Sequence, residues 1–190
     1  MREVYFHEDD YCQIELLPEA NWDFCANQMK QIDKFSTQHR ADEGWTDIYV
    51  RSENPASVSD LSIAKNAFVA SLADLLPRFD RIRTGYSTYT ELCTEKIANG
   101  CNDRVVVFAE HDAEDAIGKI WLTLDVCTAD DAALALKALQ ALSQWPLILA
   151  DWGWSVLLCL SDTETLTEYF NQRVKAFEEF NRKMNTKNKA

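Results

Sequence analysis

Arg104-Val-Val-Val-Phe-Ala109 and, after a break at Gly118, Lys119-Ile-Trp-Leu-Thr-Leu-Asp-Val-Cys127 decide the fold class. Both segments are rich in β-branched and aromatic residues, which suit a pleated, half-buried surface. Val105–Phe108 is apolar without interruption. Such a run predicts a strand covered on both faces, hence one inside a sheet. Glu110-His-Asp-Ala-Glu-Asp115 lies between the two segments and reads as the acidic connection of a hairpin.

Downstream, Thr128-x-x-Asp131 opens an Ala- and Leu-rich helix over about 129–144, and Pro146 follows it. Leu147–Ala150 and Ser155–Leu160 read as a second hairpin through Asp151-Trp-Gly-Trp154. Ser161-x-x-Glu164 has capping-box spacing ahead of a helix over about 162–184, with Leu166, Phe170, Val174, Phe177 and Met184 on one side. Upstream, Glu3–Phe6 is one strand and Tyr11–Leu17 another, where Cys12, Ile14 and Leu16 alternate with Gln13 and Glu15. Pro18 blocks its continuation. A helix over about 19–37 carries Trp22, Cys25, Met29, Ile32 and Ser36 at 3-4 spacing. Residues 46–51 form a short β-rich run. Ser57 and Asp60 cap a helix over about 59–76, closed by Pro77. Segment 86–99 has two readings: a strand from Tyr86, or a short helix ending at Asn99-Gly100. Two hairpins with amphipathic helices around them predict an α+β domain: an antiparallel or mixed sheet with three to four packed helices.

The chain has 190 residues, 47% of them hydrophobic, enough for one full-sized domain. It is read as a single domain over 1–183 with a frayed basic tail over 184–190. No apolar run approaches the roughly 20 residues of a membrane helix, and acids stand where a signal peptide would be apolar. A cytoplasmic location is expected, and oligomeric state is left open. With 31 acids against 19 bases the net charge is −12, which argues against nucleic acid as a partner. The charge is uneven: residues 1–60 and 109–168 together hold 24 of the 31 acids and 7 of the 19 bases.

Familiar chemical motifs are missing. Gly44, Gly85, Gly100, Gly118 and Gly153 are isolated, whereas phosphate-cradling loops need closely spaced glycines. No Gly-x-Ser-x-Gly elbow occurs. His7-Glu8 opens like a zinc-protease motif, but the second histidine position is Tyr11. The six cysteines include no Cys-x-x-Cys pair, so reduced, buried thiols are expected, with no disulfide, metal or cofactor. Trp22, Trp121 and Trp145 read as core, while Trp45 has no clear assignment. The terminal bases complement a helix dipole.

What remains is a surface. Glu8, Asp9 and Asp10 in one loop, Glu110, Asp112, Glu114 and Asp115 in another, and Trp152 or Trp154 at the second hairpin are the candidate partner-binding residues. Segregated like charge is better tolerated when a cationic partner relieves it, and turn tryptophans can supply the desolvated anchors of a tight complex. The alternative is a small hydrolase using carboxylates with His7 or His111 in a pocket near the two acidic loops.

The opening Tyr5-Phe-His-Glu-Asp-Asp-Tyr-Cys-Gln-Ile-Glu-Leu-Leu-Pro18, followed by a Trp-bearing helix, resembles the small acidic immunity proteins encoded beside bacterial polymorphic toxins. The resemblance lies in size, charge and style, and is strongest over about 20 residues. It implies a stoichiometric, non-catalytic function: binding and blocking the toxic domain of a cognate effector. Because those families are structurally diverse, it implies no particular fold and no interface positions.

Overall fold

The computed structural model describes residues 1–86 and 89–187. Eleven strands and four α-helices follow one another among these residues. They are β1 (Glu3–His7), β2 (Ile14–Pro18), α1 (Trp22–Gln38), β3 (Arg40–Ala41), β4 (Gly44–Trp45), α2 (Lys65–Leu72) and β5 (Arg81–Tyr86). Then come β6 (Tyr89–Leu92), β7 (Lys96–Gly100), β8 (Val105–His111), β9 (Ile117–Leu124), α3 (Ala129–Leu142), β10 (Leu147–Asp151), β11 (Val156–Cys159) and α4 (Thr163–Lys187). The fold is α+β. A six-stranded sheet runs β11-β10-β2-β9-β8-β7, and every neighbouring pair in it is antiparallel. A smaller sheet, β1-β5-β6, joins β1 to β5 in parallel.

Period-2 alternation divides the large sheet into two faces. Val105, Val107 and Ala109 of β8, with Leu16, Ile120, Leu122, Leu147 and Leu149, point into one continuous core beneath α2, α3 and α4. Val106 and Phe108 point the other way and join Trp121, Phe6, Val4 and Ile82 under the small sheet. Farther along this second face, Leu17, Ile148 and Ala150 meet Cys25 and Met29 of α1 and the ring of Trp152. The Val105–Phe108 run is therefore a strand buried on both faces, between β7 and β9. Thr128 and Asp131 make the expected reciprocal cap of α3.

Several boundaries differ from those expected. The Ser57–Asp60 box caps a single 3-10 turn, Val58–Leu61, not a long helix. Ser62 then turns left-handed at φ 50°, and Ile63 and Lys65 hydrogen-bond to the β8–β9 hairpin before α2 begins. Segment 46–51 pairs with no strand; its Arg51 is instead drawn to Glu15 at 2.8 Å. Within 86–99 the strand reading holds. β6 folds back on β5, and β7 pairs with β8 through Gly100, so there is no helix for Asn99-Gly100 to cap. Ser87 and Thr88 lie outside the described residues. Gly85 has φ 135°, and a Cβ there would meet the Tyr89 carbonyl at 2.3 Å, so the hairpin requires glycine. At α4 the capping carboxylate is Asp162, which accepts from the Thr165 amide at 3.1 Å, rather than the Ser161 box. α4 runs on to Lys187 instead of fraying from Met184, and residues 188–190 lie outside the described residues. Trp22 is exposed at the first turn of α1, where the stripe engages the sheet only from Cys25 onward. Trp121 is core on the second face, half-buried Trp145 packs against the core on the helical face, and Trp45 is exposed. Cys12 and Cys25 are the buried thiols; Cys127 and Cys159 are half-exposed and Cys101 is exposed.

Candidate functional site

Asp151 follows Leu147 and Leu149 on the helical face of β10 and is buried. A buried carboxylate without partners costs several kcal/mol, on the order of 3–5 when a pair is broken. Here α4 supplies the partners. The Tyr169 hydroxyl donates to Oδ2 at 2.7 Å, and Arg173 Nη2 donates to the same oxygen at 2.6 Å. The two residues stand one helical turn apart, so they share one face and reach one carboxylate. Arg173 Nε also donates to the Tyr169 oxygen at 2.8 Å, and Nη1 to the Leu124 carbonyl at 2.7 Å. Burial, with Asp151 alongside, pushes the Tyr169 hydroxyl up, so it stays neutral and donates. Burial works against the Arg173 charge, but Tyr169 and Asp151 outweigh it and raise the guanidinium further.

This cluster positions a tryptophan. Asp151 Oδ1 accepts from the Trp154 amide at 3.1 Å, and Ser155 closes the turn at φ 51°. The Trp154 ring then lies 4.8 Å from the Arg173 guanidinium and edge-on to Tyr169, yet stays 42% exposed. Beside it is a depression of about 270 Å³, lined by Asp10, Gln13, Leu122–Asp125, Gly153 and Trp154, with Asp151 and Arg173 behind. Asp125 and Asp10 both border it. Burial and then the Asp10 charge push the Asp125 carboxyl above its ordinary range. Among the described residues neither acid takes part in an ion pair.

A second polar cluster crosses the other face of the sheet. Buried Glu15 accepts from Arg51 at 2.8 Å and from the Trp152 indole at 2.7 Å, while Arg51 lies over the Trp152 ring. Tyr11 donates to Glu110 at 2.8 Å and accepts from Lys119 at 3.0 Å; Lys96 also pairs with Glu110. Burial opposes ionisation of Glu110, but Lys96, Tyr11 and Lys119 outweigh it and hold the carboxyl below its usual range. Burial, then Glu15, pushes the Cys12 thiol up to about 12 and Cys25 to about 11, so neither is a ready nucleophile.

The sequence-derived candidates separate on this scaffold. Asp10 and Trp154 come together at the depression. Glu8 and Asp9 are on the same 3-10 turn, where Glu8 accepts from Tyr89 at 2.9 Å and the Asp9 amide donates to His7 Nδ1 at 3.2 Å. Trp152 is not a surface anchor: it is 7% exposed and packs against α1. Glu110 is held by lysines in the interior cluster. Asp112 is spent on its own turn, accepting from the Glu114 and Ala116 amides at 2.9 Å each. Asp115 pairs with Lys65 at 2.7 Å, which lowers its carboxyl, and Glu114 is exposed. Loop 112–115 joins β8 to β9 at His111 and Ile117, whereas the depression lies at the Leu124 end of β9. Six steps along β8, or about 20 Å, separate the two ends, so the acids of loop 112–115 do not border the depression.

Asp125, Asp151, Tyr169 and Arg173 were not among the sequence candidates. A signal for them existed. Asp151 closes an otherwise apolar strand, and Arg173 stands on the core-facing stripe of α4, so each needs a buried partner. Among the described residues no group of three or more His, Cys, Asp or Glu is arranged to hold a metal ion. No helix of the described residues is long and apolar enough to cross a membrane. No protein-family profile, curated protein or solved structure matches this chain.

Proposed function

We propose that this chain is a non-catalytic binding protein, an immunity protein that covers and neutralises a basic bacterial toxin domain. The observation that carries the reading is the juxtaposition of Asp10 and Asp125 with the exposed Trp154 ring around one depression. Asp10 and Asp125 form no ion pair among the described residues, and the neighbouring Arg173 is engaged by Asp151, so the two carboxylates attract a lysine or arginine from outside, while the ring offers both apolar area and a cation–π face. The Asp151–Tyr169–Arg173 cluster holds that ring from behind, so little side-chain freedom remains to be lost on binding. Glu8 and Asp9 extend the acidic rim and would speed the encounter. The resemblance of the opening segment to toxin-immunity proteins supplies the class of partner.

The test is capture of the partner from the native cell, followed by kinetics with the purified pair. Asp10→Lys with Asp125→Lys should slow association and flatten its salt dependence. Trp154→Ala should speed dissociation by about thirtyfold, equivalent to ~2 kcal/mol for a hot spot. A partner that is not inhibited one to one, or variants that bind like the parent, would sink the reading.

A further inference from the structure

We infer that two copies of this chain pair through the solvent-exposed C-terminal half of α4. The helix has 25 residues and is about 37 Å long. Leu166, Tyr169 and Phe170 are buried in the first turns, whereas every residue from Lys175 to Asn185 is exposed. The apolar stripe does not stop where the core does. Phe177, Phe180 and Met184 continue the 3-4 spacing of Phe170 and Arg173, at 38%, 58% and 45% exposure. A helix end meant only for solvent has no use for that register, which is the seam of a helix pair.

The seat for a second helix adjoins the first. A trough of about 410 Å³ runs between the root of the overhang and the end of β9, lined by Val126, Trp154, Ala176 and Phe177, with Asp125 at its rim. A second α4 laid antiparallel in this trough sets its Phe180 and Met184 against Trp154 and Val126. A two-fold axis makes the contact reciprocal, each overhang filling the other copy's trough.

Charge selects a second copy as the occupant. Residues 175–190 carry five bases and two acids, while residues 1–174 carry 14 bases and 29 acids. The overhang is thus a basic arm on an acidic body. Lys183 precedes Met184 at the flank of the stripe, and in the antiparallel pair it reaches the Asp125 and Asp10 rim of the other copy. The inference does not rest on the proposed function, although a second copy and a cationic partner would compete for this rim.

Sedimentation equilibrium of the full chain tests it. A monomer–dimer equilibrium is expected, weakened about tenfold or more by Phe180→Asp, a change at an exposed position that leaves the fold intact. Lys183→Glu and Asp125→Lys should each weaken the dimer alone. Mixed together they should restore it, because the heterodimer pairs Glu with Lys at one contact and Lys with Asp at the other. A monomer at every concentration, a dimer indifferent to Phe180→Asp, or a mixture no tighter than its components would overturn the inference. Capture of a cognate partner by the monomeric Phe180→Asp variant would leave the proposed function standing on its own.

Discussion

The six-stranded sheet is covered by three helices on one face, and by α1 and a small sheet on the other. On the helical face the covering is one apolar core running from Ile97 to Phe170. On the second face two apolar clusters meet at a seam. In the cross-strand row Ala150–Glu15–Trp121–Phe108–Ala98, the one charged residue stands where the two cores meet. The difference teaches what each covering demands. Apolar contact is non-directional and needs only volume and burial. A seam of charges needs each member to have its partner, because a buried ion left alone is heavily penalised.

The largest effect expected from this contrast is on the helical face. Phe170 is fully buried beside Tyr169 and Leu166. Phe170→Ala should destabilise the chain by about 3–5 kcal/mol through lost transfer energy and a residual cavity. Denaturant midpoints of parent and variant measure it. A loss under ~1 kcal/mol would mean that the α4 contact is peripheral, and the comparison between faces would fail.

The seam should give a smaller but more selective effect. Glu15→Ala leaves the Trp152 indole and Arg51 without their acceptor and should cost about 2 kcal/mol. Glu15→Gln keeps an acceptor oxygen and should cost less. It should also lower the Cys12 and Cys25 thiols, since Glu15 is the second cause of their elevation after burial. Alkylation rates against pH read that change directly. If Glu15→Ala is neutral, the seam is not structural, and the comparison between the two faces fails.

The same contrast explains what was legible in the sequence. The helical face was readable because Val105, Val107 and Ala109 alternate with residues equally apolar, and the Thr128–Asp131 box announces its own helix. Local signals failed where a distant strand made the decision. Lys96–Gly100 has helical spacing but is claimed by β8, and the Ser57–Asp60 box is real yet serves one turn because Ile63 and Lys65 are taken by the β8–β9 hairpin. The candidate site was half legible. Turn tryptophans drew attention, but no local rule separates Trp152, whose indole finds Glu15 at a distance of 137 residues, from Trp154. Asp125 was invisible as well, since its significance depends on Asp10 arriving from another loop.

The smallest effect, of opposite sign, belongs to Asp125. Both faces of the sheet satisfy their buried charges, whereas this rim does not. The Asp125 carboxyl is raised by burial and by Asp10, so the folded chain holds its proton more tightly than the unfolded chain does. Its favourable contribution is therefore present below the ordinary carboxylate pKa and is lost as pH rises through the raised value. At neutral pH the ionised rim opposes folding. Asp125→Asn is permanently neutral and should stabilise the protein at pH 7, by less than ~1 kcal/mol because the side chain is still partly open to solvent, which screens it. The gain should vanish in acid, where the parent is protonated too. Asp10→Asn should give a similar relief, and the double variant less than the sum, because one repulsion is removed twice. If the proposed function holds, the stabilised variants should associate more slowly with a cationic partner. Melting curves of the parent and three variants at two pH values decide it, and a loss of stability in Asp125→Asn at pH 7 would return this rim to ordinary surface.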